Sequence, residues 1–518
     1  MSTKIKEGWN TRLGVILAVA GSAVGLGNFL RFPGLVAEYG GGAFMVAYFI
    51  SFLLIGLPIC WAEWTMGRKG GLLGFNSAPG IFHSITNKEH FKYLGVIALM
   101  IPVGIYFYYL IIESWCLAYA FNYFTGNINV NTAEEASSFF QELTGITKNG
   151  SAISFSTKHV FIFVIISLLC NFYFISKGIS KGIEKFCSIA MPTLLIISII
   201  ILIRVLTLGT PNPEIPENSI QNGLGFMWNP SFEALKNPSL WLAAASQIFF
   251  SLSVGFGVII TYASYLKEDD DVILSGLTAA STNEFFEVSI GGMMSIPAAI
   301  AFFGVTGLTQ IGLSTFNIGF NALPLVFDAM PLGDLFGFLF FFLLFLAAIT
   351  SSLSMLQPAL AFIKDTTQLS HKKAISILFL ITTLGAYFVL FNSKDLKALD
   401  TLDYWIANLL MVFLATAQIL IFGWHIGIKK GLEDAHKGSK IKIPKFYNFI
   451  IKYVTPLLLI SILFNWVWGI FNLHKPNQYI IDLFIEPNFT AWNSIGILVI
   501  LGLTITFCLN LSKSHTSK

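Results

Sequence analysis

Neutral polar side chains lie inside several segments that are otherwise long and apolar. Asn28 follows a glycine-rich stretch, Asn283 lies in a second apolar segment, and Thr350, Ser351 and Ser352 stand consecutively in a third. Polar groups are costly in hydrocarbon, so each is a candidate for a functional site if these segments cross a membrane. Hydroxyl and amide oxygens can replace the water shell of a hard cation without burying a full negative charge. A hydroxyl can instead bond a carbonyl of the preceding helical turn, whereas Asn28 and Asn283 have no such local explanation.

Two glycine-rich stretches interrupt apolar segments in the same way. Residues 24–27 read Val-Gly-Leu-Gly, residues 254–257 read Val-Gly-Phe-Gly, and small residues precede both. Each Gly inside a helix costs about 1 kcal/mol relative to Ala, so the pattern predicts two broken helices. Close helix packing is the alternative for one such stretch, but two matching stretches favour a binding site between inverted repeats. A nucleotide-binding loop is disfavoured because no strand precedes either stretch, and we expect no nucleic-acid partner.

Ionisable residues also lie within the apolar segments. Glu63, Glu113 and Glu287 are inside them, and Arg31 follows the first glycine-rich stretch. We expect Glu63 and Glu113 to form buried hydrogen-bond networks that hold unwound backbone. Arg31 needs an acidic partner, for which Asp403 is available. The five cysteines have no metal-ligand spacing and are expected to be small buried hydrophobic residues.

The segments that carry these residues must be membrane-spanning helices. The chain is 55% hydrophobic and 11% charged, with a mean hydropathy of +0.72, which exceeds what a soluble domain can bury. Because a bilayer crossing needs about 20 apolar residues, we expect an all-α integral membrane protein with about 12 transmembrane helices. In chain order, span 1 to span 12 lie near residues 11–37, 41–67, 91–124, 159–177, 187–208, 240–266, 273–303, 336–363, 374–392, 401–424, 447–470 and 491–511.

Basic residues lie in alternate connections between the spans. They precede span 1 and follow spans 2, 4, 8 and 10, with the largest cluster at residues 429–445. The positive-inside rule makes that side cytoplasmic, with both termini inside the cell. We therefore expect a multi-pass protein of the cell inner (plasma) membrane, with the lipid bilayer as its partner.

Longer strings within the spans carry a family resemblance. Residues 21–33 read Gly-Ser-Ala-Val-Gly-Leu-Gly-Asn-Phe-Leu-Arg-Phe-Pro, residues 247–253 read Gln-Ile-Phe-Phe-Ser-Leu-Ser, and residues 259–265 read Ile-Ile-Thr-Tyr-Ala-Ser-Tyr. Tyr-Tyr at 108–109 and Thr-Ser-Ser at 350–352 complete the set. By these strings the chain resembles the neurotransmitter:sodium symporter family over nearly its whole length, and most closely its bacterial leucine-transporting members.

The resemblance implies a sodium-coupled secondary active symporter for a small neutral, apolar L-amino acid such as leucine, alanine or methionine. It implies two sodium ions and alternating access around a midplane site. It also implies one transporter domain over residues 1–518, with five-helix inverted repeats at 11–208 and 240–424, broken helices 1 and 6, and two additional C-terminal helices at 447–511. A homodimer is left open.

The resemblance also assigns roles to individual residues. The substrate would contact Ala23, Leu26, Gly27, Ile105, Tyr109, Phe250, Ser251, Ser253, Phe256, Ser351 and Met355. One sodium ion would be held by Ala23, Asn28, Ser251 and Asn283, and the other by Gly21, Val24, Ala347, Thr350 and Ser351. Glu287 would supply the negative charge that chloride gives in chloride-dependent relatives. The gates would be Arg31, Asp403 and Phe316 on the outside, and Lys6, Asp365, Trp9, Ser264 and Tyr265 on the inside.

Gly25 bears on the kind of substrate. The family's monoamine carriers have an Asp at this position, which partners the amine and supplies a sodium ligand. Gly25 leaves room for a carboxylate that arrives with the substrate, so the resemblance implies an α-amino acid. A sodium-dependent amino-acid sensor with little flux and a carrier of an aromatic amino acid are the alternatives left open. An ion channel is disfavoured by the paired gates, and an enzyme by the lack of a nucleophile–base or metal-protease motif in the spans.

Overall fold

The structure, a computed structural model, describes residues 8–311, 315–471 and 477–512. Among those residues, nine continuous helices and one bent pair of helices are long and apolar enough to cross a bilayer. Spans 4 and 6 are built from shorter apolar helices and complete the set. The prediction of an all-α membrane protein with about twelve spans is confirmed.

The helical bounds follow the predicted spans closely. Spans 1 to 6 are Arg12–Ala23 with Gly27–Glu38, Gly42–Leu72, Glu89–Phe124, Phe161–Ser176, Ile179–Leu206, and Pro238–Leu252 with Val258–Ala263. Spans 7 to 12 are Val272–Val305, Gly333–Thr367, His371–Phe391, Lys394–His425, Tyr447–Gly469 and Phe489–Leu511. Shorter helices in the connections include Ala78–Thr86, Ala133–Thr144, Ile220–Trp228, Ile318–Asp328 and Ile428–His436.

Spans 1 and 6 are broken where the glycines predicted. In span 1 the helix stops at Ala23 and resumes at Gly27, and the two halves are bent by 46°. In span 6 the backbone turns left-handed at Ser253, Gly255 and Gly257, with φ of +54°, +71° and +80°. A Cβ on Gly257 would lie 2.1 Å from the carbonyl oxygen of Ala98 in span 3, so both conformation and space require glycine there.

Burial separates an inner set of spans from an outer one. In the most apolar stretch of spans 3 and 8, 89% and 72% of residues are buried, against 39%, 22% and 28% in spans 9, 11 and 12. The outer spans therefore present apolar side chains to lipid, as Leu384, Phe464 and Leu503 do. The broken halves of spans 1 and 6 lie on the inner set and can form a site shielded from the bilayer.

Span 2 is longer than predicted, and its additional turns include two charged residues. Its helix ends at Leu72 rather than near residue 67, so Arg68 and Lys69 lie in the last turns and not in a loop. The Arg68 guanidinium donates to the carbonyl oxygens of Lys437, at 2.9 Å, and of Asp434, and Lys69 Nζ lies 2.6 Å from Asp434 Oδ2. These partners satisfy the two charges at the C-terminal end of span 2, so the helix continues through them.

Candidate ion and substrate site

Four donors surround the carboxylate of Glu287 in the interior of the bundle. Gln247 Nε2 donates to Glu287 Oε1 at 2.6 Å, and Ser251 Oγ donates to Oε2. Asn28 Nδ2 and Asn283 Nδ2 each lie 3.3 Å from Oε2. All five side chains are buried, so these polar atoms bond one another.

The two intramembrane asparagines belong to the same cluster. Asn28 Nδ2 donates to Asn283 Oδ1 at 2.8 Å, and Asn28 Oδ1 accepts from the Gly25 N–H at 2.9 Å. Asn283 Nδ2 donates to Ser251 Oγ at 2.6 Å. Three of the four residues predicted for the first sodium ion are thus directly bonded, and the fourth, Ala23, ends the first half of span 1 beside them.

A second group of oxygens lies between the break in span 1 and the middle of span 8. Ser351 Oγ lies 3.5 Å from the Gly21 carbonyl oxygen and 3.2 Å from that of Ala347. Thr350 Oγ1 donates to the Ala347 carbonyl at 2.8 Å, which is the local helical bond that the sequence left as an alternative. Val24 is fully buried at the break. Hydroxyl and carbonyl oxygens at this spacing suit a hard cation.

The unwound stretch of span 1 faces a tyrosine and leaves no room for a side chain. The Leu26 N–H donates to Tyr109 Oη at 3.3 Å. A Cβ on Gly25 would lie 2.7 Å from Ser351 Oγ and 3.0 Å from Tyr109 Oη. On the span 6 side, Ser253 Oγ donates to the Ser22 carbonyl at 3.2 Å.

Apolar side chains complete the predicted pocket. Ile105, Phe256 and Met355 are buried, and the Phe250 ring lies 6.4 Å from that of Phe256. A Cβ on Gly27 would lie 3.0 Å from the Phe250 ring, so Gly27 lets this ring approach span 1. None of these four side chains carries a charge.

A cavity of 490 Å³ extends from this pocket to the outer loops. Tyr109 and Phe250 line it together with the predicted outer-gate residues Arg31, Asp403 and Phe316. Its lining also includes residues of the outer helix Ala133–Thr144. The pocket therefore has a route to the end of the bundle where this helix lies.

Arg31 and Asp403 line the same cavity but bond other partners. Arg31 Nη2 donates to Ser246 Oγ at 3.1 Å, and its guanidinium carbon lies 4.9 Å from the centre of the Phe250 ring. Asp403 Oδ1 accepts from Tyr108 Oη at 2.6 Å. Within the described ranges no ion pair joins Arg31 to Asp403, and both side chains line the cavity. Their role as an outer gate stays a prediction.

The residues predicted for the inner gate lie near the start of span 1, and Trp9, Ser264 and Tyr265 line one cavity there, whereas Lys6 is outside the described residues. Trp9 Nε1 donates to the Tyr262 carbonyl at 3.0 Å, and the two rings meet edge to face. Asp365 Oδ2 accepts the Ser77 N–H at 3.0 Å. Ser264 Oγ donates to the Thr261 carbonyl, and Tyr265 Oη accepts from Gln357 at 3.2 Å.

Glu63 holds the unwound backbone of span 6, as expected, with a partner that the sequence did not reveal. Its Oε1 accepts the Gly255 N–H at 3.3 Å and Gln418 Nε2 at 2.7 Å. Glu113 likewise accepts from Asn171 Nδ2 at 3.2 Å. These amide partners could have been sought as polar residues on apolar spans, but no local pattern links them to a particular carboxylate.

Two broken helices expose backbone groups to an oxygen-lined pocket in the middle of the helical bundle. This arrangement is typical of a membrane transporter with a midplane binding site. The comparisons with known proteins agree with this class. The sequence profile described as "Sodium:neurotransmitter symporter family" matches residues 6–158 and 129–517.

Individual relatives cover nearly the whole chain. An uncharacterized sodium-dependent transporter of Methanocaldococcus jannaschii is 30% identical over 480 residues, covering 90% of this chain and 91% of its own. The human sodium- and chloride-dependent neutral and basic amino acid transporter B(0+) is 25% identical, covering 90% of this chain and 80% of its own. The crystal structure of MhsT in complex with L-phenylalanine has a TM-score of 0.76 and 30% identity, covering 88% of this chain and 99% of that one.

The chain belongs to the sodium:neurotransmitter symporter family. It is a multi-pass, sodium-dependent membrane transporter and not an enzyme, as the sequence predicted.

Proposed function

We propose that the chain couples sodium to the transport of a neutral, apolar L-amino acid at the pocket between spans 1, 3, 6 and 8. The observation that carries the proposal is that Gly25 brings no side chain of its own between the Ser351 and Tyr109 hydroxyls. A side chain there would meet Ser351 Oγ at 2.7 Å and Tyr109 Oη at 3.0 Å. A substrate carboxylate can face that hydroxyl and the Leu26 N–H, where the start of the second half of span 1 favours an anion.

The other end of the substrate meets acceptors of the broken backbone. We assign its ammonium group to the carbonyls of Ala23, Phe250 and Ser251 and to the hydroxyl of Ser253. The left-handed conformation of Ser253 ends the first half of span 6, so the last carbonyls of that half lack helical partners. An amine without a carboxylate would leave the Leu26 side of the pocket unmatched.

Two sodium ions fit the two oxygen groups. We assign one ion to Ala23, Asn28, Ser251 and Asn283, with the substrate carboxylate beside it and Glu287 as the nearby negative charge. We assign the other to Gly21, Val24, Ala347, Thr350 and Ser351, which join span 1 to span 8. An ion in the second group would tie the first half of span 1 to the buried span 8.

The side chain of the substrate is set by Ile105, Phe256, Phe250 and Met355. These residues are apolar, so a charged side chain would lose its hydration without gaining a partner. An aromatic amino acid is the second candidate, because the similar MhsT structure holds L-phenylalanine. Met355 favours either class because its unbranched thioether adapts to different shapes.

The proposed orientation in the membrane rests on the basic residues in alternate connections, and the proposed repeats rest on the two broken spans. We propose that both termini face the cytoplasm across the inner (plasma) membrane. We also propose that residues 11–208 and 240–424 form the inverted repeats, since each begins with a broken span.

Uptake into proteoliposomes tests the proposal. Labelled leucine should accumulate against its gradient in sodium, and methionine, alanine and phenylalanine should be ranked as competitors. Isoamylamine, which is leucine without its carboxylate, should compete at least about tenfold less well, since unpaired buried polar groups cost about 1–3 kcal/mol each. Comparable inhibition by the amine would overturn the amino-acid assignment. Sodium-dependent binding without net accumulation would favour the sensor alternative.

A further inference from the structure

One carboxylate attaches the cytoplasmic end of span 1 to the start of span 5. Glu184 Oε2 accepts the Asn10 N–H at 2.9 Å, and Oε1 accepts the Thr11 N–H at 3.1 Å and the Thr11 hydroxyl at 3.0 Å. Only 6% of Glu184 is exposed, although it lies beside a cytoplasmic cavity lined by Asn10 and Ser180. Hydrogen bonds to a charged acceptor are roughly twice as strong as neutral ones, so this is a firm attachment.

Gly14 in the first turn of span 1 makes the attachment possible. A Cβ at this position would lie 2.1 Å from Glu184 Oε1 and 2.5 Å from its Cδ. Any side chain at residue 14 would push the carboxylate away from Asn10 and Thr11. The chain thus combines a buried carboxylate on span 5 with a missing side chain on span 1.

The segment that Glu184 holds is the half of span 1 that precedes the break, which can move separately from the other half. Residues Arg12–Ala23 are separated from the second half by the non-helical residues Val24 and Gly25 and by a 46° bend. Further contacts hold the same end: Trp9 Nε1 to the Tyr262 carbonyl at 3.0 Å, Arg12 to Asp271 Oδ2 at 3.4 Å and to Ser275 Oγ at 3.1 Å, and the Asn10 amide to Ser180 Oγ. The Glu184 side chain bonds the backbone N–H groups of Asn10 and Thr11 at the start of span 1 from another span, whereas Thr11 Oγ1 caps the Gly14 N–H from within span 1.

We infer that Glu184 is a positioning residue of the transport cycle, which holds the first half of span 1 against span 5 in the cytoplasm-closed conformation. Opening to the cytoplasm then requires Asn10 and Thr11 to leave the carboxylate. Gly21 and Ala23 lie in the first half of span 1, so the release of this half also moves their carbonyl groups away from the other proposed ion ligands. The link to sodium rests on the proposed function, whereas the closure itself does not depend on the solute.

Distances between spin labels test the inference. Labels at Leu13 on span 1 and Lys373 on span 9, both exposed positions, report the opening of the cytoplasmic end, with Cys170 and Cys508 replaced. Without sodium, Glu184→Ala should shift the closed-to-open ratio by about tenfold or more, because one hydrogen bond to a charged group already accounts for that factor. Glu184→Gln should shift it less, because its amide oxygen keeps one acceptor.

Matched variants separate positioning from loss of fold. Gly14→Ala should act in the same direction as Glu184→Ala, although it leaves the carboxylate in place. Glu268→Gln, on an exposed carboxylate of the same face, should leave the distances unchanged. Saturating sodium should return the Glu184 variants to the closed distances, which a misfolded protein would not show.

The outcomes bear separately on the two proposals. Wild-type distances in both Glu184→Ala and Gly14→Ala would overturn the positioning role. If the distances shift as expected but wild-type vesicles accumulate no amino acid, the proposed function fails and the positioning role stands.

Discussion

Replacing Glu287 by Ser should make transport depend on chloride. Glu287 accepts from Gln247, Ser251 and Asn283, so the serine would leave these donors around an anion-sized gap. The amides of Asn28 and Asn283 lie 3.3 Å from the carboxylate, which places an ion bound on their oxygens on the order of 5–6 Å from it. At an effective dielectric constant of about 20, that charge pair is worth about 3 kcal/mol.

The expected magnitude follows from that energy. About 3 kcal/mol corresponds to about a hundredfold weaker sodium affinity, so Glu287→Ser in gluconate should need far more sodium for half-maximal uptake. Chloride should restore part of the loss, because an anion can occupy the gap and accept from the same donors. The assay is labelled amino-acid uptake against sodium concentration, in chloride and in gluconate.

Glu287→Gln provides the matched control. The glutamine fills the space of the glutamate without its charge, so uptake should fall and chloride should not restore it. Wild-type protein should be indifferent to chloride. Equal uptake by Glu287→Ser in chloride and gluconate at wild-type rates would refute the reasoning.

Four further substitutions test the site and the breaks. Asn283→Ala and Thr350→Ala should each raise the sodium needed for half-maximal uptake by at least about tenfold, since each removes an oxygen that a buried cation cannot replace cheaply; uptake that persists when choline replaces sodium would contradict this. Gly25→Ala should weaken amino-acid binding by more than about tenfold with little change in thermal unfolding, because its Cβ would sit 2.7 Å from Ser351 Oγ inside the pocket; unchanged competition by leucine would argue against the carboxylate position. Gly257→Ala should lower the free energy of unfolding by more than about 2 kcal/mol, because the alanine would need a left-handed φ and its Cβ would lie 2.1 Å from the Ala98 carbonyl oxygen. Thermal melts measure the change. Gly469→Ala is the control, because a Cβ there meets nothing within 4 Å.

The sequence predicted the parts of this molecule that depend on local composition. Hydropathy located about twelve spans, because the bilayer thickness sets how many consecutive apolar residues a crossing needs. The glycines at 25, 27, 255 and 257 located both breaks, because each glycine destabilises the helix around it. The structure also brings Asn28 and Asn283 into direct contact, although they are far apart in sequence.

Pairings between distant residues could not be derived in the same way. Gln418 bonds Glu63 and Asn10 bonds Glu184, and these partners depend on how the spans pack rather than on spacing along the chain. Charge complementarity suggested that Arg31 meets Asp403, but it carries no information about the conformation. In this conformation Arg31 bonds Ser246, Asp403 bonds Tyr108, and both side chains line the same cavity.

The bond between Glu63 and the Gly255 N–H fixes a stretch that would otherwise behave as a loose loop. The carboxylate is itself held by Gln418, so the unwound part of span 6 is anchored to spans 2 and 10. A ligand that meets its carbonyls finds them already oriented and loses little chain entropy on binding. The acceptors of span 6 are thus preorganised, and the conformational cost of closing the site falls mainly on span 1.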